Sequence, residues 1–374
     1  MRTYFHHIFR NNINIAFYNY VYTLRMNKIE SGEKLDFNHV LIRPKRSTIN
    51  SRSLVSLERE FKFKYAQCTW SGVPIISANM DTTGTFGVYE CLKEHKVITA
   101  MHKFYTVDDY TNYEKEHGKM EPDYFMVSTG TSDANFERLT AIMDKIDCKW
   151  ICIDIANGYI DSLVKFCKKV RDKYPEKIIV AGNVVTREMV EELILSGGVD
   201  VVKVGIGPGS ACTTRLKTGV GMPQLSAVLE CSDAAHGVGG QIISDGGITC
   251  PGDMAKSFGA GGDFVMVGGQ FAGHDQNPGE VLEDENGKKY KAFHGMSSDK
   301  AQNTHFGKMN SYRASEGRVL KIPYKGDLNT TVLDYLGGLR STCTYINAPT
   351  IKQMAKCTTF MRVSQQVNNY FGGN

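Results

Sequence analysis

The chain lacks any apolar run long enough to cross a membrane as a helix. It also lacks an excess of charge. Its 44 Lys and Arg against 40 Asp and Glu leave a net +4, too little to argue for nucleic acid. No Lys/Arg stripe with interleaved aromatics runs along it. It has no CxxC pair, and its ten scattered cysteines form no Cys/His cluster with zinc-ligand spacing. Cys148 and Cys152 flank Trp150 and Ile151 at the start of an apolar run and read as strand residues. Many free thiols without a secretion signal point to a reducing compartment, the cytoplasm. Residues 1–33 stand apart. No acid precedes Glu30 and no serine precedes Ser31, while Arg2, Arg10, Arg25 and Lys28 are basic. That only partly fits a transit peptide. The stretch reads as a disordered or non-native extension, with Met26 as the expected working start. The whole, 374 residues at 41% hydrophobic and 22% charged, has an ordinary soluble globular composition.

What is present is a rhythm. Short apolar, β-branched runs recur at 73–80, 97–103, 125–130, 150–158, 178–186, 201–209, 241–248 and 264–269. Such continuous runs are the mark of buried parallel strands. Helical spacing lies between most of them. Phe136, Leu139, Ile142, Met143 and Ile146 keep it. So do Met189, Val190, Leu193 and Ile194, with Thr186 as expected N-cap and Gly197-Gly198 as the stop. Pro251 suits the first turn of a helix carrying Met254, Ala255 and Phe258. Alternating strand and helix implies a parallel sheet. Eight repeats make a closed (β/α)8 barrel the natural α/β architecture, with a doubly wound sheet as the alternative. Gln270 to about Asp327 breaks the rhythm and reads as a long flap or lid. Helical spacing resumes from Asp327.

In such a barrel, chemistry gathers at the C-terminal ends of the strands. Polar residues fall there after nearly every run: Asn79 and Asp81, His102 and Lys103, Ser128 and Thr129, Asp154 and Asn157, and Asn183. Singly, each is as well explained as a turn residue or cap. The turns Ser244-Asp245-Gly246-Gly247 and Gly268-Gly269 offer backbone N–H groups to a phosphate. The richest loop is Gly205-Ile206-Gly207-Pro208-Gly209-Ser210-Ala211-Cys212-Thr213-Thr214-Arg215. Its glycines allow close backbone approach to a ligand. A cysteine beside an arginine and exposed N–H groups suits the reactive thiolate, while the loop by itself fits an ordinary buried cysteine equally well.

Taken in order, these motifs resemble the reductase branch of the IMP dehydrogenase / GMP reductase family, from about Lys34 to Asn368. The carrying segments include KLDFNHVLIRPKRST (34–48), SGVPIISANMDTTGTF (71–86), CIDIANGY (152–159), AGNVVT (181–186), KVGIGPGSACTTR (203–215), ISDGGITCPGD (243–253), GMSS (295–298), YRASEG (312–317) and GGLRSTCTY (337–345). Met80 to Ile98 is too short for the paired CBS insertion that dehydrogenases usually carry. The Arg-Tyr dipeptide that those enzymes use to activate water is absent. The chain is therefore expected to hold one catalytic domain, 34–374, with no CBS domains. Three departures stand out: Ala211 where the family more often has Val or Ile, an extra residue around Gly197-Gly198-Val199, and Gln270 in place of a common Met.

The resemblance implies NADPH-dependent reductive deamination of GMP to IMP and ammonia. Cys212 would be the nucleophile, with Thr214 and Glu316 as proton relay. GMP would meet Asp245, Gly246, Gly247, Gly268 and Gly269, and also Gly295, Met296, Ser297, Arg313, Ala314, Ser315 and Gly317. The dinucleotide would lie near Ser51, Arg52, Lys103, Asp154, Ile155, Ala156, Ile206, Gly207 and Tyr312. Ser341, Thr342, Cys343 and Thr344 would reach a cofactor, in a neighbouring subunit if need be. A monovalent cation, K+, would sit at Gly207, Gly209, Cys212 and Arg215. The family also implies a homo-oligomer, a tetramer or larger.

Overall fold

In the computed structural model, which describes residues 28–294 and 319–364, each of the eight apolar runs contains one parallel strand. The strands are Ile75–Ser77, Ile98–Met101, Phe125–Thr129, Trp150–Asp154, Ile178–Val184, Val201–Val204, Gln241–Asp245 and Phe264–Val267. Each pairs with the next in sequence, and the eighth pairs with the first through Val265 and Ile75, so the sheet closes into a barrel. The closed (β/α)8 architecture holds and the open doubly wound alternative does not. The strands are shorter than the apolar runs. The remainder of each run turns out of the sheet as a strand-end loop, which is what places polar residues at the mouth.

Helices ring the barrel from Phe86–Lys93 through Pro251–Gly259, and three of them, Asp133–Met143, Arg187–Leu195 and Pro251–Gly259, lie where the spacing predicts them. Pro251 does occupy the first turn of its helix. Thr186 stands at the N-cap of Arg187–Leu195, but its side chain makes no capping bond. Its hydroxyl instead bonds the Tyr159 hydroxyl at 3.1 Å. The extra glycine at the end of this helix is put to use. The Gly198 carbonyl accepts from Arg171 Nε at 2.8 Å.

Two features go beyond the reading of the sequence, one missed entirely and one expected in another form. A hairpin of Arg59–Lys62 and Thr69–Gly72 packs its aromatics against residues at the N-terminal ends of barrel strands. Phe61 stacks on Phe264 at 4.4 Å, and Trp70 meets Trp150 edge-on at 5.8 Å. All four are buried, so the hairpin plugs the floor of the barrel. The second feature is the expected flap. Its described part is a three-stranded antiparallel sheet, Leu282–Glu283, Lys289–His294 and Val319–Pro323, rather than an irregular loop. The chain then closes with the long helix Leu328–Ile346, which Asp327 caps by accepting from Asn329 N.

The chain divides into two units, 1–34 and 35–374. In the first, Lys34 pairs with Glu30 at 3.4 Å. No helix among the described residues is long and apolar enough to cross a membrane.

Candidate active site

Three strand-end loops converge at the barrel mouth, and their glycines make the convergence possible. A side chain on Gly246 would lie 2.9 Å from Pro208, and one on Gly269 would lie 2.8 Å from Ser210. The cysteine loop therefore rests directly on both glycine turns, after strands seven and eight. Phe293 of the flap sheet packs over the same place, near Gly268 and Gly269. With Ala272 it encloses Ala211. The departure to alanine thus fits a site where the flap root presses on the loop.

Within the loop, the Cys212 thiol donates to the Thr214 hydroxyl oxygen at 3.1 Å. The Cys212 backbone N–H turns back to Gly209 O at 3.0 Å. Cys212 is half-buried, while Cys250, at the start of the Pro251 helix, is more exposed. Exposure is therefore not what distinguishes Cys212 among the cysteines; its hydroxyl partner and its seat on the two glycine turns are. Burial pushes Cys152 and Cys343 up to about 12, which makes them inert thiols.

Arg215 does not face the thiol chemistry that the sequence suggests. Its guanidinium pairs with Asp36 at 3.2 Å and donates to Met222 O at 2.5 Å. Asp36 in turn accepts from Gln224 N at 2.5 Å. The fully buried Gln224 amide reaches Val204 O at 2.9 Å and Asp245 O at 3.3 Å. This chain of bonds fixes the end of strand six against the end of strand seven.

Beside the loop lies a buried charge cluster. Lys203, on strand six and only 3% exposed, places its ammonium 2.7 Å from Asp154 Oδ1 and 2.9 Å from Asp245 Oδ2. Asn183 Nδ2 donates to the same Asp245 oxygen at 2.8 Å. Burial is the largest influence on Asp154 and opposes its charged form, but the charges of Lys203 and Lys103 and the hydrogen bonds from Lys203 and Asn79 together outweigh it and hold the carboxyl below its ordinary range. Burial likewise opposes the ammonium, and the two carboxylates raise it well above the usual lysine value. Lys103 adds a further positive charge near Asp154. Lys203 was missed as a site residue. The available signal was a lysine inside an otherwise apolar strand, Val201-Val202-Lys203-Val204.

The remaining expected residues divide into groups. Ile155 and Ala156 follow Asp154 at the mouth, where Ile155 N donates to Gly182 O at 3.0 Å. Ile206 and Gly207 lie in the cysteine loop. Ser51 and Arg52 form a separate exposed group, in a short turn that packs on the helix Leu328–Ile346. That helix carries Ser341, Thr342 and Thr344. Cys343, on the same helix, points into the core and is fully buried, because it lies on the helix's apolar face. Gly295, Met296, Ser297, Tyr312, Arg313, Ala314, Ser315, Glu316 and Gly317 lie outside the described residues. Among the described residues, no group of three His, Cys, Asp or Glu side chains converges to hold a metal.

One glycine here tolerates no side chain. Gly205 has φ +152, and a Cβ on it would lie 2.2 Å from Asp245 O. Gly205→Ala should cost about 1–3 kcal/mol in backbone strain alone, read by urea unfolding. Unchanged stability would mean that the end of strand seven yields freely.

The domain model described as IMP dehydrogenase / GMP reductase matches residues 34–369. A protein named GMP reductase from Yersinia enterocolitica serotype O:8 / biotype 1B is 57% identical over 348 residues, covering 93% of this chain and 100% of that protein. Proteins of the same name from Yersinia pestis strain Pestoides F and Yersinia pseudotuberculosis serotype O:1b are each 56% identical over 346 residues, covering 92% of this chain and 99% of theirs.

Proposed function

The chain belongs to the IMP dehydrogenase / GMP reductase family, and we propose that it is a GMP reductase, converting GMP, NADPH and a proton to IMP, ammonia and NADP+ in purine nucleotide salvage. The observation that carries this reading is the Cys212 thiol, 3.1 Å from the Thr214 hydroxyl, on a loop seated over two glycine turns. The GMP phosphate rests on the turns at Gly246-Gly247 and Gly268-Gly269, where backbone N–H groups serve an anion. Asp245, itself an anion, takes the ribose hydroxyls. The Cys212 thiolate attacks C2 of the purine. The S–C bond forms, and the ring electron pair moves to a ring nitrogen, which takes a proton. The amino group, once protonated, leaves as ammonia, and restoring the C2–N double bond leaves a thioimidate on Cys212. A hydroxyl alone is a poor acid, so Thr214 works with the Glu316 carboxyl in moving these protons.

NADPH, when bound, would supply a hydride for C2, and the Cys212 thiolate would be the leaving group as IMP forms. The residues present suit such a group. The ionised Asp154 carboxylate is a ready acceptor for sugar hydroxyls, and the positive Lys103 and Arg52 suit a 2′-phosphate. Potassium would be held by the backbone carbonyls of Gly207, Gly209, Cys212 and Arg215. The Gly209 and Arg215 carbonyls each already accept one N–H, from Cys212 and Gly219, which leaves a lone pair for the ion. Residues 34–374 form the catalytic domain. The working enzyme is a cytoplasmic homo-oligomer, tetrameric or larger.

The deciding experiment follows NADPH absorbance with purified protein, GMP and potassium, with IMP and ammonia identified as products. Stoichiometric NADPH loss with IMP formation is expected. Activity only with IMP and NAD would make the chain a dehydrogenase. GMP binding without NADPH loss would make it a nucleotide sensor. Glu316→Gln should slow deamination about 100-fold or more in single-turnover measurements and hydride transfer less. Equal slowing of both steps would remove Glu316 from the relay.

A further inference from the structure

Lys203 has no part in the chemistry above, yet it occupies the centre of the site. It projects from strand six to the ends of strands four and seven. Gly182, on the neighbouring strand five, leaves room for its stem; a side chain there would lie 2.6 Å from the Lys203 Cβ. A buried ammonium must be paired, and here two carboxylates answer it at 2.7 and 2.9 Å. Lys203 uses Oδ1 of Asp154 and Oδ2 of Asp245. Each carboxylate keeps acceptor capacity for a hydroxyl donor.

We propose that Lys203 is a positioning residue that holds the substrate carboxylate, Asp245, and the cofactor carboxylate, Asp154, in one shared geometry. The inference rests on the functional reading above, which gives those two carboxylates their ligands. Both ligands then depend on a side chain that neither touches. The ammonium sets the spacing between the two carboxylates, and so between the two sugars. Asn183 restrains Asp245 from a third direction, and Asn79 and Lys103 act on Asp154; among the described residues, the ion pairs to both carboxylates come from Lys203.

The test is equilibrium binding, measured by calorimetry with GMP alone and with NADP+ alone. Lys203→Met should weaken both by about tenfold or more, the scale for removing one partner of a buried charge pair. Lys203→Arg keeps the charge and should recover part of both affinities. Asp245→Asn should weaken only GMP, and Asp154→Asn only NADP+. A residue that merely glued the barrel would reduce the folded fraction and leave both dissociation constants of the folded protein unchanged. A folded Lys203→Met that binds either ligand within about twofold of the unaltered chain overturns the proposal. Should Lys203→Met fail to fold, Lys203→Arg decides: both constants shifting in the same direction supports it, and either one unchanged overturns it. Failure of the unaltered chain to bind GMP overturns the functional reading and this inference with it.

Discussion

Cys212→Ala should abolish turnover, by on the order of 10⁴-fold or more, while GMP still binds. The substitution removes the sulfur that forms the bond to C2 and little else. The glycine turns at Gly246-Gly247 and Gly268-Gly269 do not depend on that sulfur, so the phosphate seat survives. The backbone bond from Cys212 N to Gly209 O at 3.0 Å is available to alanine as well, so the loop keeps its shape. Cys250 is exposed, but it stands at the start of a helix beyond the glycine turn of strand seven and offers no substitute. Three measurements check this: NADPH consumption, GMP affinity by calorimetry, and intact mass of protein held with GMP and no cofactor. The unaltered chain should form a mass adduct of the purine nucleotide less ammonia, and the variant none. Turnover within about tenfold of the unaltered enzyme would remove Cys212 as nucleophile.

Asp200→Ala should be the most destabilising single change outside the site, costing about 3–5 kcal/mol. Asp200 is fully buried before strand six. It pairs with Arg171 at 2.5 Å and accepts from Ile179 N at 3.1 Å, Tyr65 N at 2.8 Å and Ala66 N at 3.3 Å. It therefore ties together two strands, a helix and the loop of the floor hairpin. Alanine leaves the buried guanidinium without its counter-charge and three N–H donors without their acceptor. Arg171→Met in the same background should restore part of the loss, since it removes the orphaned charge. Urea unfolding of the three proteins would check both statements. A loss below about 1 kcal/mol, the size typical of exposed pairs, would show that water replaces the carboxylate and that the pair is not integral to the floor.

Asp263 shows the same device before strand eight. It is buried, accepts from Ile242 N at 3.0 Å, and pairs with Arg59 at 3.0 Å and His236 at 2.8 Å. Neither carboxylate was legible as special in the sequence. Their partners come from segments far apart in the chain, and no local spacing announces such a meeting. The floor hairpin was hidden for a related reason. Phe61 and Trp70 are ordinary aromatics until Trp150 and Phe264 are brought beneath them. Arg215 was misread in the same way, since its neighbour in sequence is the cysteine loop but its partner in space is Asp36, 179 residues away.

The sequence by itself determined the eight strands, several of the helices between them, the barrel class and the family. Each of these follows from local periodicity or from motifs in a fixed order. It also placed Cys212 and Thr214 two residues apart, close enough that one loop holds them together. Tertiary structure alone decided which strand ends meet. Closure of the barrel sets Val201–Val204 beside Gln241–Asp245 and carries Asp154 within reach of Lys203. A buried lysine and two carboxylates become one unit only when three strands converge. Their electrostatic interaction depends on distance and burial, and neither can be read from a linear chain.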